Sequence, residues 1–144
     1  MANTIRLEIV TPEKLFYEGD VEMAIARTVT GDEGFMANHA WACKLLSTGE
    51  LWIKEAGSKE YRIAAISGGF IDVKDEIMIF ADAAEWPEEI DLARTEIAKL
   101  KAEEWLEKHD LADSEADEVE EKKAALDRAQ NRENVSKGGS VTRK

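Results

Sequence analysis

Apolar and polar residues alternate along the first part of the chain, the pattern of β-strands that keep one face on a core. In Ile5–Val10, large aliphatic residues take every second position and charged residues lie between them. The same pattern predicts strands at residues 44–46, 51–54, 61–67 and 77–80, with turn residues between them. Because no helical stretch long enough for a crossover separates these short strands, the sequence predicts an antiparallel sandwich or barrel.

Two polar stretches in this region are predicted to be turns. Glu18–Asp20 is expected to precede a strand in which Val21, Met23 and Ile25 face inward. Gly31–Gly34 is typical of a turn, since a glycine at each end can adopt positive backbone angles.

A pair of glycines, Gly68-Gly69, interrupts the apolar run Ile66–Val73. Glycine inside a strand gives up packing and backbone entropy, so such a pair marks a bulge or the close approach of another backbone. We therefore expect a corner of the sheet here, followed by the last strand-like run, Ile77–Phe80.

The pattern changes to a helical one after Trp86, where 27 of the 58 remaining residues are charged. Pro87 suits the first turn of a helix and the acidic residues behind it suit the helix dipole, so a first helix is predicted to begin near Pro87. Its apolar stripe is expected to consist of Ile90, Ala93, Ile97 and Leu100, widened by Ala98, Ala102 and Trp105.

A second helix is predicted to follow, capped by Asp113 or Ser114 with Asp117 as the capping-box acid, and to end at residues 131–134. Its apolar seam consists only of Ala116, Val119, Leu126 and Ala129. Because burying an alanine methyl group contributes only about 0.8 kcal/mol, this hairpin is expected to be weakly held and mobile.

These elements together predict an α+β fold, with an N-terminal antiparallel β-sandwich of two sheets and about ten strands and a C-terminal two-helix hairpin. The predicted boundaries are residues 1–86 for the sandwich, 87–134 for the hairpin and 135–144 for a flexible tail.

The net charge of -12, from 31 acidic and 19 basic residues, argues against binding to nucleic acid or to anionic lipid through the net field. One cysteine rules out an internal disulfide and fits a reducing compartment. No apolar run approaches the roughly 20 residues of a membrane span, and the N-terminus lacks the regions of a signal peptide. We expect a protein without a membrane span or a signal peptide.

Candidate catalytic groups are few. His39 and Cys43 suggest a thiolate–imidazole pair, and hence a cysteine-dependent hydrolase, but a turn histidine and a buried thiol are the favoured interpretation. His39 and His109 are too far apart in sequence, with only one cysteine, to form a metal-ligand motif, and no phosphate-binding loop motif is present. We expect no turnover, no metal and no required cofactor.

One polar cluster is predicted in the hairpin. If its turn is centred near Leu111, Asp91 and Arg94 face the region of Arg128 and Arg132. Two guanidinium groups beside a carboxylate suit phosphates and a ribose hydroxyl. Interhelical ion pairing at the solvated end of a hairpin is the alternative, and geometry alone favours it.

A series of short motifs resembles the ε subunit of bacterial-type F-type ATP synthases from Ile5 to about Arg132. The residues that carry the resemblance are Val10–Glu13, Phe16–Gly19, Gly31–Gly34 leading into Asn38–Ala40, Gly49–Ile53, Ser67–Val73 and Ala81–Glu85. Their order and spacing together are specific, although each is short.

The resemblance implies a β-sandwich followed by a helical hairpin, and a non-catalytic subunit of the central stalk. Such a subunit clasps the γ subunit, rests on the c-ring and helps couple ion flow to ATP synthesis at the cytoplasmic face of the bacterial membrane, peripheral to it. The family's hairpin can swing up to make transient contact with the α and β subunits and block ATP hydrolysis. The alternative is a non-enzymatic adaptor whose charged hairpin recruits another helical protein.

Some family members bind ATP through an Ile-Asp-x-x-Arg-Ala motif, and residues 90–95 match it except for Thr95 in place of alanine. The resemblance thus implies a regulatory ATP site formed by Glu85, Asp91, Arg94, Arg128 and Arg132. A second departure is Trp41, where the family usually has proline after Asn-His-Ala.

Overall fold

The computed structural model of the chain describes residues 3–109 and 116–139. The strands are β1 (Ile5–Val10), β2 (Leu15–Thr28), β3 (Gly31–Phe35), β4 (Ala42–Leu46), β5 (Gly49–Glu55), β6 (Tyr61–Ile66), β7 (Gly69–Val73), β8 (Ile77–Ala81) and β9 (Ala84–Glu85). A 3-10 turn (Pro87–Glu89), α1 (Leu92–Lys108) and α2 (Ala116–Ser136) follow. The chain divides between Trp86 and Pro87 into two compact units.

The long strand β2 organises the first unit. Its first half pairs with β1, and its second half pairs with β3 and β5. The strands are bonded in the order β1-β8-β7-β4-β2-β5-β6-β9, and the extra pairing of β1 with β2 closes the arrangement. The result is the predicted β-sandwich, although β1 and β8 pair in parallel and the sandwich is therefore not wholly antiparallel.

The core of the first unit is aliphatic and takes residues from nearly every strand. Strands such as β1 alternate between buried and half-buried positions, as strands do when one face lies on a core. The largest fully buried side chains in this unit are Leu7, Ile9, Val21, Phe35, Leu51, Ile53, Ile71, Val73, Ile77 and Ile79.

The turn predicted at Glu18–Asp20 is wrong, because β2 runs through it without interruption. Gly19 pairs with Leu7 of β1, so the backbone is satisfied in a strand. A Cβ at Gly19 would lie 2.9 Å from the Tyr17 hydroxyl oxygen. The glycine accommodates a neighbouring side chain here and does not form a turn.

The predicted inward face of β2 is also wrong beyond Val21. The pairing with β5 shifts register between Val21 and Met23, an irregularity that reverses the alternation after it. Ala24 and Ala26 are therefore buried in the core, whereas Met23 and Ile25 are only half-buried.

Gly31–Gly34, predicted as a turn, belongs to strand β3. The turn lies just before it, at Val29 and Thr30. Gly31, the first residue of β3, has a φ of 123° and accepts a hydrogen bond at its carbonyl oxygen from the Thr28 hydroxyl at 2.8 Å. Phe35 at the end of β3 is fully buried. The pairing with β2 makes these turn-like residues a strand.

The corner predicted at Gly68-Gly69 is confirmed as a close approach of two backbones. Gly69 has a φ of 115°, and a Cβ there would lie 1.9 Å from the carbonyl oxygen of Phe80. No side chain fits this position, because β7 turns directly against β8.

The second unit is a pair of packed helices. Its first α-helix starts at Leu92, later than the predicted start near Pro87, because Pro87–Glu89 forms a separate 3-10 turn. α2 extends to Ser136, so Val135, which the prediction assigned to the tail, is helical and fully buried. The predicted caps Asp113 and Ser114, and the predicted turn at Leu111, lie outside the described residues.

The apolar stripe predicted for α1 is only partly the face that is buried, since it includes Ala102 but not Thr95. Ile97 and Leu100 are 54% and 57% exposed, whereas Thr95 and Ala102 are 5% and 4% exposed. Thr95 and Ala102 are seven residues apart and share a face of the helix. α1 therefore buries a small residue and a polar one. In the part of the chain that the structure describes, neither helix is long and apolar enough to cross a membrane.

Candidate partner-binding face and predicted nucleotide site

Four apolar residues form a continuous row across the outer face of β1, β8, β7 and β4. Val10 pairs with Phe80, Phe80 with Phe70, and Phe70 with Leu45. The Phe70 and Phe80 rings stack with centroids 4.8 Å apart. We call these four residues the apolar row. Leu45, Phe70 and Phe80 are 64%, 39% and 38% exposed, so the row presents its side chains to solvent.

A second row, running beside the first, is half acidic. Cys43 pairs with Asp72, Asp72 with Met78, and Met78 with Glu8. The Glu8 carboxylate lies 3.3 Å from the Arg6 guanidinium and the Asp72 carboxylate lies 3.9 Å from the Lys74 ammonium group. The apolar row is thus bordered by a polar one, as the centre of a protein interface is bordered by its rim.

Trp41 lies next to these rows. It precedes β4 by one residue and alternates with Cys43 and Leu45, and it is 69% exposed. Cys43 is exposed as well, so the buried thiol of the sequence interpretation is wrong. The reason is the register of β4, which points Leu46 toward the core and the odd-numbered residues outward.

The sequence analysis did not identify this face. The signal that could have revealed it is the occurrence of adjacent apolar residues in strands, as in Phe70-Ile71 and Ile79-Phe80. Because successive side chains point to opposite faces of a strand, adjacent apolar residues place one of them outside the core.

Both ring nitrogens of His39 lie near polar neighbours. Its Nδ1 atom donates to the Ala40 carbonyl oxygen at 2.7 Å, and its Nε2 atom lies 3.8 Å from Glu33. Lys44 holds the same Glu33 carboxylate at 2.6 Å and 2.8 Å. Within residues 3–109 and 116–139, no group of histidine, cysteine and acidic side chains is arranged to hold a metal ion.

The residues of the predicted nucleotide site lie in both units. Glu85 is in β9 of the first unit and pairs with Ala65. Asp91 is the N-cap of α1, where its Oδ1 atom accepts a hydrogen bond from the backbone nitrogen of Arg94 at 3.1 Å. Arg128, one turn before Arg132 on α2, is half-buried, as is Arg132 itself.

The contacts between α1 and α2 fix their register. Lys99 donates to Glu133 at 3.2 Å, and the Lys122 ammonium lies 5.8 Å from the centre of the Trp105 ring. In both pairs the midpoint in sequence falls beyond Leu111. Each residue of α1 therefore faces a residue of α2 that is several positions further along than the sequence analysis assumed.

Thr95, the departure from the ATP-binding motif, has a defined role in the hairpin. Its hydroxyl donates to the Asp91 carbonyl oxygen at 2.8 Å, and the side chain is 5% exposed. The hydroxyl group that threonine has and alanine lacks is therefore hydrogen-bonded within the first turn of α1.

Comparison with known proteins identifies the family. Residues 4–87, more than half of the chain, match the family model described as "ATP synthase, Delta/Epsilon chain, beta-sandwich domain". The chain belongs to this family. The ATP synthase epsilon chain of Alkaliphilus oremlandii is 51% identical over 104 residues, which cover 72% of this chain and 76% of the relative. That of Caldicellulosiruptor bescii is 44% identical over 127 residues, 88% of each.

Two solved structures extend the similarity to the fold. A chain in the cryo-EM structure of the Euglena gracilis mitochondrial ATP synthase, comprising OSCP, F1 and c-ring, is 25% identical with a TM-score of 0.75, and the match covers 89% of this chain and 78% of that one. A chain from the Tetrahymena thermophila mitochondrial ATP synthase central stalk and c-ring is 14% identical with a TM-score of 0.63, over 90% and 96% of the two chains. The fold of this epsilon-family chain is thus found in ATP synthase assemblies.

Proposed function

We propose that this chain is a non-catalytic rotor subunit of a bacterial F1Fo ATP synthase, located in the central stalk at the cytoplasmic face of the membrane. Its sandwich binds the γ subunit and rests on the c-ring, and so helps couple ion flow to ATP synthesis. The proposal is supported by the family membership and by the assemblies named for the two solved structures.

The apolar row is the observation that carries the γ-binding part of the proposal. A soluble domain rarely exposes large apolar side chains in one contiguous patch without a partner. Leu45 and Trp41 are each more than 60% exposed, and aromatic side chains are typical anchors of protein interfaces. The row crosses four strands of a rigid sheet, so a partner helix meets a preformed surface.

The test is reconstitution with γ. The purified chain is expected to bind γ, and to incorporate into an F1 complex that contains the α, β and γ subunits. A Leu45→Ser variant should bind more weakly, whereas Met36→Ser, which removes another exposed apolar side chain, is the matched control. Failure of the unaltered chain to bind γ would reject the proposal.

A mobile, inhibitory hairpin is the second part of the proposal. It is supported by the division of the chain between Trp86 and Pro87 and by the small residues buried in the second unit. Removing residues 87–144 should leave the sandwich folded and raise ATP hydrolysis by the parent complex. Unchanged hydrolysis, with the truncated chain still bound, would reject inhibition but would leave the rotor role standing.

ATP sensing is the third part. We infer that Asp91, Arg94, Arg128 and Arg132 contribute to a regulatory ATP site, together with Glu85. The inference is supported by the match of residues 90–95 to the Ile-Asp-x-x-Arg-Ala motif, apart from Thr95. It is also supported by the guanidinium groups of the three arginines, which suit phosphate oxygens. Titration of ATP with Trp105 fluorescence as the signal should show saturable binding that Arg94→Ala and Arg128→Ala each weaken. An ATP affinity that neither variant changes would rule out the proposed site.

One observation favours the adaptor function as an alternative. Ile97 and Leu100 form an exposed apolar pair on α1, which is the kind of surface that a helical partner covers. An Ile97→Ser variant that loses a helical partner without any change in ATPase activity would favour an adaptor over a rotor subunit.

A further inference from the structure

Four charged side chains alternate in sign across the two helices of the hairpin. Glu96 and Lys99 belong to α1, Glu133 belongs to α2, and Lys137 follows the last residue of α2. Glu133 accepts hydrogen bonds from Lys99 at 3.2 Å and from Lys137 at 2.9 Å, one on each oxygen of its carboxylate. The hydrogen bond and charge of Glu133, and to a smaller extent the charge of Glu96, raise the pKa of Lys137.

Glu133 is the centre of this group because it links the two helices. Its bond to Lys99 joins residues 34 positions apart in sequence, whereas its bond to Lys137 joins residues only four positions apart, at the end of α2. The side chains of Glu133 and Lys99 are only 14% and 26% exposed. Both side chains keep some exposure to solvent, so dissolved salt can still weaken the attraction between them.

The position of the Lys99–Glu133 bond in the hairpin determines which parts of the two helices it holds together. Glu133 lies in the last turn of α2, and Lys99 faces it from the middle of α1. The end of α2 is the part of that helix furthest along the chain from α1, so no short covalent link keeps it close to α1. The lysine–glutamate bond thus holds the last turn of α2 against α1.

The apolar contribution of α1 in this region is small, although α2 buries Val135 completely. The buried residues of α1 are Thr95 and Ala102, while the larger Ile97 and Leu100 are more than half exposed. Opening the hairpin therefore costs little hydrophobic burial on the α1 side.

We propose that Lys99, Glu133 and Lys137 form an ionic latch that holds the two helices together and lets ionic strength set how often the hairpin opens. Lys99 supplies the bond between the helices, and Lys137 holds the Glu133 carboxylate in position for it. The regulatory meaning of the latch rests on the proposed inhibitory hairpin, but the latch itself is a property of the isolated chain.

The experiment measures the distance between the helices in the full-length chain. Spin labels are attached at Ala93→Cys and Asn134→Cys, both at exposed positions, in a Cys43→Ser background. Dipolar spectroscopy then reports the closed and open populations without γ or any ATPase. A failure of the latch is thus separable from a failure of the proposed rotor function.

A double-mutant cycle supplies the decisive comparison. Lys99→Met and Glu133→Gln are each expected to raise the ratio of open to closed hairpin about three- to fivefold, and the double variant no further than the larger single effect. Raising the salt from about 0.1 M to about 1 M should open the starting chain in the same way and leave Lys99→Met nearly unchanged. Lys123→Met, at an exposed lysine of α2, is the control for loss of charge and should have no effect.

Several results would overturn the latch. The first is that the effects of Lys99→Met and Glu133→Gln are additive. The second is that Lys123→Met has an equal effect. The third is that the ratio of open to closed hairpin does not change with salt concentration. If Glu133→Gln lowers helicity by circular dichroism, the salt titration of the chain with its native Glu133 and of Lys99→Met still decides the matter.

Discussion

Phe70 and Phe80 stack across β7 and β8 with an angle of 22° between their ring planes, on the face of the sandwich that points away from the core. An aromatic pair in this orientation contributes about 0.5–1.5 kcal/mol beyond the area it buries. The two strands thereby hold a flat, apolar surface in a fixed orientation before any partner arrives.

Replacing Phe70 tests whether this surface binds γ. Phe70→Ala is expected to weaken γ binding by about 1–3 kcal/mol, because it removes an aromatic anchor at the centre of the apolar row. The free energy of unfolding should fall less, since the ring is 39% exposed. Isothermal titration calorimetry with purified γ measures the first quantity, and urea denaturation the second.

Met36→Ala is the matched control for this prediction, because Met36 is 46% exposed but belongs to the loop after β3. Equal losses of γ affinity in Phe70→Ala and Met36→Ala would show that apolar surface in general, and not the apolar row, binds the partner.

Gly69→Ala tests the corner between β7 and β8. The new Cβ would lie 1.9 Å from the Phe80 carbonyl oxygen, and φ is 115°, so the backbone of one strand must move. We expect a loss of about 3 kcal/mol or more in the free energy of unfolding. Thermal and urea denaturation would measure it.

Gly57→Ala separates the two contributions to that loss. Gly57 also has a positive φ, 79°, but a Cβ there meets nothing within 4 Å. Its variant should cost only about 1 kcal/mol, which is the effect of backbone conformation alone. Similar losses in the two variants would mean that the contact with Phe80 is unimportant.

The sequence predicts the structure correctly where interactions between residues close in sequence decide it. The alternation in Ile5–Val10 requires only one buried face, and the geometry of Gly69 follows from the backbone freedom of glycine. The β3 strand was missed because its Gly-Asp-Glu-Gly start resembles a turn, and pairing with β2 overrides that preference.

Other errors come from tertiary structure that no local window contains. The register shift after Val21 moves Ala24 and Ala26 to the core, and nothing in the alternation of β2 predicts it. The stripe predicted for α1 includes the buried Ala102, but the packing also buries Thr95 and leaves the more apolar Ile97 exposed. The nucleotide-site residues stay a prediction. The helix register on which that prediction depends assumes a turn centred near Leu111, which lies outside the described residues.

Tyr17 predicts a loss of stability at alkaline pH. Its hydroxyl donates to Glu55 at 3.1 Å, and burial, followed by that hydrogen bond and the negative charge of Glu55, raises its pKa from 10.0 to about 12. The folded protein therefore keeps this proton at pH values where the unfolded chain has released it. The free energy of unfolding should decrease as pH rises from 10.0 to about 12.

Ultraviolet absorbance of tyrosinate gives the titration directly, and urea denaturation at a series of pH values gives the stability. In Tyr17→Phe, the component of the titration near pH 12 should disappear and the decrease in stability should become shallower. A native-state titration of Tyr17 that coincides with that of the unfolded chain would contradict the prediction.

Glu133 predicts the opposite behaviour on the acid side, in the hairpin. Hydrogen bonds from Lys137 and Lys99 lower its pKa below the ordinary 4.5, so the folded hairpin favours the carboxylate. A group with a lowered pKa contributes stability that is fully present above its unfolded value and is lost as pH falls through its folded value. The hairpin should therefore be closed at neutral pH and begin to open below pH 4.5.

The measurement is an NMR titration of the Glu133 side-chain carboxyl carbon, with the spin-label distance recorded over the same pH range. Lys99→Met and Lys137→Met should each move the titration of Glu133 back toward 4.5, and Lys137→Met by at least as much, because its hydrogen bond is the larger cause of the shift. Lys99→Met should also open the hairpin at neutral pH, since its bond joins the two helices, and Lys137→Met should open it less, because it only positions the Glu133 carboxylate. A titration of Glu133 that neither variant changes would mean that the lysines do not hold the carboxylate in solution.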